Sequence, residues 1–131
     1  MLFLFYALTD IFSIGCLLLS GVSPSASSRF QENFVSCVFL APVFETLLVH
    51  LPLIYFLKKI NTHPFLIILV TSIVFALLHF SHGMIYPLII FYPGLMMTLN
   101  FYYFYTRVGL GVAILTTIFV HGVFNFTSLM C

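Results

Sequence analysis

Long apolar runs separated by short polar stretches dominate this sequence. Most of the runs approach the roughly 20 residues that an α-helix needs to cross a hydrocarbon core of about 30 Å. The pattern predicts an all-α fold, a polytopic bundle of five transmembrane helices in a single membrane-embedded domain over residues 1–131. The predicted spans are residues 2–20, 34–57, 65–80, 85–105 and 110–129.

Turn-forming and aromatic residues mark the boundaries of these spans. Residues 21–33, rich in serine, form the most polar stretch and predict a loop. Pro42 and Pro52 both lie inside the second span, which predicts a kinked helix whose freed carbonyls are satisfied by neighbouring helices. The Phe/Tyr-rich residues 101–105 are typical of an aromatic belt at a headgroup boundary.

Composition narrows the class of protein. The chain is 63% hydrophobic and only 5% charged, whereas a water-soluble domain carries about 25% charged residues. The sequence therefore predicts an integral multi-pass membrane protein of the cell membrane, with the lipid bilayer as its surroundings. Four basic residues form no patch of the size that binding to a phosphate backbone needs, so no nucleic-acid partner is expected.

The few basic residues also predict an orientation. Arg29 lies on one side of the predicted bundle, and Lys58, Lys59 and Arg107 lie on the other. Cytoplasmic loops carry the excess of Lys and Arg, so the N-terminus is predicted to be cytoplasmic. The first apolar run has no basic residues before it and no clear cleavage site after it, which predicts a retained helix rather than a removed signal peptide.

Ionisable residues inside apolar spans are costly and mark functional sites. Glu45 lies within the second span, His79 at the end of the third, and His121 and Asn125 one helical turn apart on the fifth. Counted along antiparallel spans, these positions lie between the midplane and the outer surface, so the four side chains are expected to share a site. Asp10, near the middle of the first span, is not assigned a chemical role.

This set of residue types suits the hydrolysis of a peptide bond. A carboxylate beside an imidazole can activate a water molecule as general base. An imidazole and an amide aimed at one point can stabilise the oxyanion that forms when this water attacks a carbonyl. Glu45 with His79, opposite His121 with Asn125, supplies both halves of such a site.

Two other functions remain open from the residues alone. Glu45, His50, His79 and His121 could form a tetrahedral zinc site, and the bundle could instead be a non-catalytic membrane protein for binding or immunity. The loop histidines, His63 and His82, are interpreted as solvated or interfacial. The cysteines have no metal-ligand spacing and are interpreted as small apolar residues: Cys16, Cys37 and Cys131.

Three segments carry a resemblance to a known family: FETLLVH at residues 44–50, FALLH at 75–79 and HGVFN at 121–125. In order and spacing they resemble the EExxxR, FxxxH and HxxxN motifs of the CPBP family, the CAAX-protease-like, ABI-type, glutamic intramembrane endopeptidases. The second and third motifs match fully, and Phe75 is the phenylalanine of the second.

The resemblance implies roles for single residues. Glu45 and His79 would activate water, and His121 and Asn125 would form the oxyanion hole, without a metal ion or other cofactor. The partner would be a membrane-associated protein or peptide substrate, such as a prenylated C-terminal tail, a sorting-signal helix or a bacteriocin-type peptide.

The first motif departs from the family pattern at two positions. Thr46 replaces the second glutamate and His50 replaces the arginine. The family pattern suits an ion pair, whereas a hydroxyl and an imidazole predict a neutral, hydrogen-bonding version of similar geometry. We expect Thr46, His50 and Phe75 to support the site rather than to react.

Overall fold

The computed structural model describes residues 34–130, and every regular element in that range is helical. The predicted all-α class is confirmed for this part of the chain, while the predicted first span, residues 2–20, lies outside the described residues. The elements are α1, Ser36–Lys59; α2, Pro64–Leu77; a short 3₁₀ helix, Phe80–His82; α3, Tyr86–Arg107; and α4, Leu110–Met130.

Two of the described helices, α1 and α4, are long and apolar enough to cross a membrane. Only 22% of the most apolar stretch of each helix is buried in the protein, and the remaining residues are half-buried or exposed. The outward-facing residues include Leu48, Leu115 and Phe119, each about 70% exposed or just below. Large apolar side chains on the outer surface suit a lipid environment.

The other two helices differ from the predicted spans for identifiable reasons. Helix α2 is apolar but has only 14 residues, and it ends at Leu77 rather than at residue 80. Helix α3 has 22 residues, but its sequence contains polar and proline positions that face the protein interior, among them Pro93 and Asn100. Of the five predicted spans, two therefore have the length and composition of a span within residues 34–130.

The two prolines of α1 are accommodated by wide turns in a continuous helix. A π-helical turn precedes each proline: Ser36–Leu40 comes before Pro42, and Thr46–His50 comes before Pro52. A proline ring clashes with the carbonyl four residues earlier and has no N–H to donate. A π turn, which has one more residue, moves that carbonyl out of the way. The predicted distortion of this span thus takes the form of two π turns.

Helix α3 packs against α2 and α4, which both also pack against α1, and α3 carries more buried positions than any other described helix. One apolar cluster contains Phe75 and Met97, and a second contains Ile54 and Phe101. At the far end of the second cluster the Lys58 ammonium lies 4.6 Å from the centre of the Tyr105 ring. The basic ends of α1 and α3 therefore lie together, as the sequence predicts.

Candidate active site

A cavity of about 360 Å³ lies between the helices near the end of the bundle remote from Lys58. The first half of α1, the end of α2, the first half of α3 and the end of α4 all contribute to its wall. The four predicted catalytic side chains line it together: Glu45, His79, His121 and Asn125. Residues from three segments of the sequence thus meet at one cavity.

The Glu45 carboxylate lies between two imidazoles. Its Oε2 atom is 3.5 Å from Nε2 of His121 and 3.8 Å from Nε2 of His79. The side chains of Glu45 and His79 are 27% and 21% exposed, whereas that of His121 is only 4% exposed. The pair Glu45–His79 therefore faces the open side of the cavity, and His121 closes it from within.

The orientation of His79 follows from how α2 ends. Its backbone N–H donates to Ala76 O, three residues earlier, while its ring Nδ1 lies 2.9 Å from Phe75 O, four residues earlier. A carbonyl oxygen only accepts, so Nδ1 carries the proton and Nε2 of the neutral ring is an acceptor on the Glu45 side. His79 lies just beyond α2 and not within the span, because its side chain takes the place of the helical N–H at Phe75 O.

Asn125 is held by a carbonyl that the first π turn releases. The Ala41 N–H donates to Ser36 O, and Pro42 has no N–H, so Cys37 O receives no hydrogen bond from the next helical turn. Nδ2 of Asn125 donates to Cys37 O at 2.7 Å. An asparagine amide has two N–H donors, and this bond uses one of them.

Close contact between α1 and α4 makes that hydrogen bond possible. A Cβ atom on Gly122 would lie 2.8 Å from the backbone oxygen of Val38, which is closer than real contacts allow. Only glycine permits this approach of α4 to the π turn. The glycine within the third motif therefore brings Asn125 to Cys37.

Phe75 packs against three histidines of the site region. The centre of its ring lies 5.0 Å from that of His50, 4.9 Å from that of His79 and 5.7 Å from that of His121. Phe75 is 2% exposed, and its position is limited on the other side by Gly94 of α3. A Cβ atom on Gly94 would lie 2.6 Å from Cδ1 of Phe75.

Gly94→Ala is therefore expected to displace Phe75 and to destabilise the protein. Overpacking of a close-packed core costs about 1–3 kcal/mol, which exceeds the gain of up to about 1 kcal/mol from replacing a helical glycine by alanine. The free energy of unfolding in detergent measures the effect. Gly111→Ala is the control, since nothing lies within 4 Å of a Cβ atom at this glycine of α4. Equal stability of the two variants would contradict the tight contact of Gly94 with Phe75.

Thr46 and His50 are both buried in the second π turn, at 0% exposure. The Thr46 hydroxyl and Nε2 of His50 have no hydrogen-bond partner among the described residues, so they do not form the predicted pair. Nδ1 of His50 lies 3.4 Å from the backbone oxygen of Glu45 instead. The carbonyl of Glu45, five residues before His50 in the chain, thus takes up one ring nitrogen of His50, and the other nitrogen does not bond to Thr46.

The residues of the zinc alternative are not arranged around one point. Within residues 34–130, no group of three or more His, Cys, Asp or Glu side chains could hold a metal ion. The geometry therefore gives this alternative no support. Of the two loop histidines, His63 has a structural role: its ring Nδ1 accepts a hydrogen bond from Phe65 N–H at 3.3 Å and caps the start of α2.

Sequence reasoning missed two residues of the site. Tyr86 lines the cavity at the start of α3, and its ring centre lies 6.3 Å from that of His79. Its position at the N-terminal end of an apolar helix gave no sign of this contact. The close packing at Gly94 could have been predicted, because a glycine after a proline inside a predicted span indicates close packing.

Comparison with known families gives a match over most of the chain. The sequence model described as "Type II CAAX prenyl endopeptidase Rce1-like" matches residues 31–127, which is most of the chain and includes all of the site residues described above. The comparison with curated proteins gave no match, and the comparison with solved structures gave none either.

Proposed function

Because the chain belongs to the Rce1-like family of type II CAAX prenyl endopeptidases, we propose that it is an intramembrane endopeptidase. It would hydrolyse a peptide bond of a membrane-associated protein or peptide. The observation that carries this proposal is the position of Glu45 Oε2, 3.8 Å from His79 Nε2 and 3.5 Å from His121 Nε2 at the wall of one cavity.

The first step is the activation of water by Glu45 and His79. Their facing atoms are too far apart for a direct hydrogen bond of about 2.7–3.2 Å, and one water molecule can contact both. The lone pair on His79 Nε2 and the carboxylate of Glu45 can share the proton that this water loses as its oxygen attacks the substrate carbonyl.

The second step is the stabilisation of the oxyanion. His121 Nε2–H and the second N–H of Asn125 would donate to the negatively charged oxygen of the tetrahedral intermediate. When the C–N bond breaks, the proton taken from water passes to the leaving amine, and the products are a carboxylate and an amine. The reaction needs no residue outside the cavity.

The apolar part of the cavity wall supports an apolar substrate. Apolar side chains from α3 and α4 form it: Ile89, Ile90, Pro93, Met97 and Phe124. Such a surface suits the apolar part of a lipid-modified tail or of a membrane-anchored helix. The family description names CAAX prenyl endopeptidases, so a prenylated CAAX peptide is the first substrate to test.

A cleavage assay tests the proposed function. The purified chain, reconstituted in lipid vesicles, is incubated with a prenylated CAAX peptide or with a peptide containing a membrane-anchored helix. Mass spectrometry of the products then locates any new carboxyl terminus. Cleavage of either peptide supports an endopeptidase and identifies the substrate class. A folded, inserted protein that cleaves neither peptide would favour the non-catalytic membrane protein.

In this assay, Asn125→Ala is expected to lower kcat by about 10²–10³-fold, the usual cost of one oxyanion donor. The variant also loses the hydrogen bond to Cys37 O, so stability must be measured separately. Asn100→Ala is the matched control, because the buried Asn100 side chain also bonds to another helix, at the hydroxyls of Thr116 and Thr117. A similar loss of kcat in both variants would contradict a specific role for Asn125.

We also propose that residues 1–131 form one domain with five spans and a cytoplasmic N-terminus. The basic residues at the ends of α1 and α3 support this orientation, since they lie at the end remote from the cavity. The cavity would then open to the outer side, which favours an exported or membrane-anchored substrate. Lys59→Cys, made as the single cysteine of the chain, is expected to resist a membrane-impermeant thiol reagent on intact cells. Labelling of this cysteine would contradict the topology.

A further inference from the structure

Three of the buried polar atoms that have no hydrogen-bond partner among the described residues belong to the second π turn of α1 and to α4. They are the hydroxyl of Thr46, Nε2 of His50 and Nδ1 of His121. Their residues are 0%, 0% and 3% exposed. A buried polar atom that makes no hydrogen bond costs about 1–3 kcal/mol, and buried polar groups in proteins are nearly always paired.

The three atoms belong to side chains that pack around one interior region. Thr46 and His50 lie in the second π turn of α1, which contacts both α2 and α4. The Phe75 ring contacts the imidazoles of His50 and His121, at 5.0 and 5.7 Å between ring centres. The imidazoles of α1 and α4 therefore both lie against the Phe75 ring, and Thr46 lies in the same π turn as His50.

The contact of His50 with a backbone oxygen shows which ring nitrogen carries the proton. Its Nδ1 lies 3.4 Å from Glu45 O, and a carbonyl oxygen only accepts, so Nδ1 carries the proton. Nε2 of the neutral ring is then an acceptor. If His121 donates from Nε2 toward the cavity, its Nδ1 is an acceptor as well. Two acceptor nitrogens cannot bond to each other, whereas the Thr46 hydroxyl can donate.

We propose that one ordered water molecule binds among Thr46, His50 and His121. It donates its two hydrogens to Nε2 of His50 and Nδ1 of His121, and it accepts a hydrogen bond from the Thr46 hydroxyl. Three hydrogen bonds are typical of a buried water molecule. The water fixes His121 in the tautomer with its proton on Nε2, the atom that lies 3.5 Å from Glu45 Oε2. Thr46 and His50 are thereby positioning residues for His121.

This inference deepens the proposed function, on which its catalytic meaning rests, and it gives the two departures from the family motif a shared role. The spacing of the motif predicts a hydrogen bond between the hydroxyl and the imidazole, and this bond is absent. Through the water molecule, they act together on the histidine that holds the oxyanion.

Nitrogen NMR on the full chain, labelled with ¹⁵N-histidine in detergent micelles, tests the site directly. The His121 signals are assigned by their loss in His121→Gln. At a pH where the ring is neutral, His121 of the unchanged protein is expected to have a protonated Nε2 and an unprotonated Nδ1. Thr46→Val, which keeps the shape of the side chain but removes its hydroxyl, is expected to shift His121 toward the other tautomer. Thr46→Ser is expected to retain the original one.

The control is Thr117→Val, because Thr117 is also 0% exposed but bonds to Asn100. It should leave the His121 tautomer unchanged. A protonated Nδ1 in the unchanged protein would overturn the inference. So would an unaltered tautomer in Thr46→Val, or equal shifts in the valine and serine variants, which would indicate a packing effect.

The cleavage assay gives the second readout. Thr46→Val is expected to lower kcat by roughly 10- to 100-fold, the usual cost of losing a group that orients a functional histidine, with KM nearly unchanged and Thr46→Ser restoring most of the rate. If the tautomer shifts as expected but the unchanged protein cleaves neither peptide, the water site stands and only the proposed function fails.

Discussion

Glu45→Gln is expected to lower cleavage by about 10⁴-fold, close to the limit of detection, while the protein stays folded and inserted. Glutamine has the size of glutamate and can still accept and donate hydrogen bonds near His79 and His121. It cannot take a proton from water, so the step that creates the nucleophile is lost. The initial rate of cleavage per folded protein, with folding checked by thermal unfolding in detergent, measures the effect.

The chain offers a matched control for this experiment. Glu32→Gln removes the same charge from the polar stretch at residues 21–33, before the described helices. It should leave the rate of cleavage unchanged. Substantial cleavage by Glu45→Gln would show that Glu45 does not activate water, and the proposed mechanism would be wrong.

His79→Asn is expected to have the second-largest effect, a loss of about 10²–10⁴-fold in kcat. The asparagine amide reaches the place of Nδ1 and can keep the hydrogen bond to Phe75 O, which measures 2.9 Å for the histidine. It has no counterpart of Nε2, the atom that faces Glu45 at 3.8 Å. The variant therefore removes the proton acceptor Nε2 and keeps the hydrogen bond to Phe75 O that orients the side chain.

Comparison of kcat and KM distinguishes the two roles of His79. The expected result is a lower kcat with KM nearly unchanged, since the substrate surface of α3 is not altered. His63→Asn is the control, because the exposed His63 ring only caps the start of α2. If His79→Asn retained full activity, His79 would act solely through its bond to Phe75 O, and Glu45 alone would be the base.

Several features of the fold and the site could be predicted from local sequence patterns. Apolar runs predict helices because each backbone polar group must be paired inside lipid, and α1 and α4 match their predicted spans closely. That these polar residues would share one cavity could be predicted, because a polar side chain in an apolar span must face the interior of the bundle. Glu45, His79, His121 and Asn125 indeed line one cavity.

Other features depend on contacts between helices. The predicted end of the third span was wrong because the His79 ring takes the place of a backbone donor at Phe75 O. The predicted bond between Thr46 and His50 is absent, and Nδ1 of His50 lies 3.4 Å from the backbone oxygen of Glu45 instead. Neither effect has a signature in hydrophobic periodicity, which describes the faces of a regular helix.

The helical class, Glu45 and the spacing of its motif partners can therefore be obtained from the sequence without coordinates. The position of Glu45 Oε2 between two imidazoles and the hydrogen bond from Asn125 to Cys37 O depend on how the helices pack. The room that Gly94 leaves for Phe75 depends on this packing as well. The physical reason is that spacing determines which residues share a face of one helix, whereas the distance between two helices depends on how closely their side chains pack.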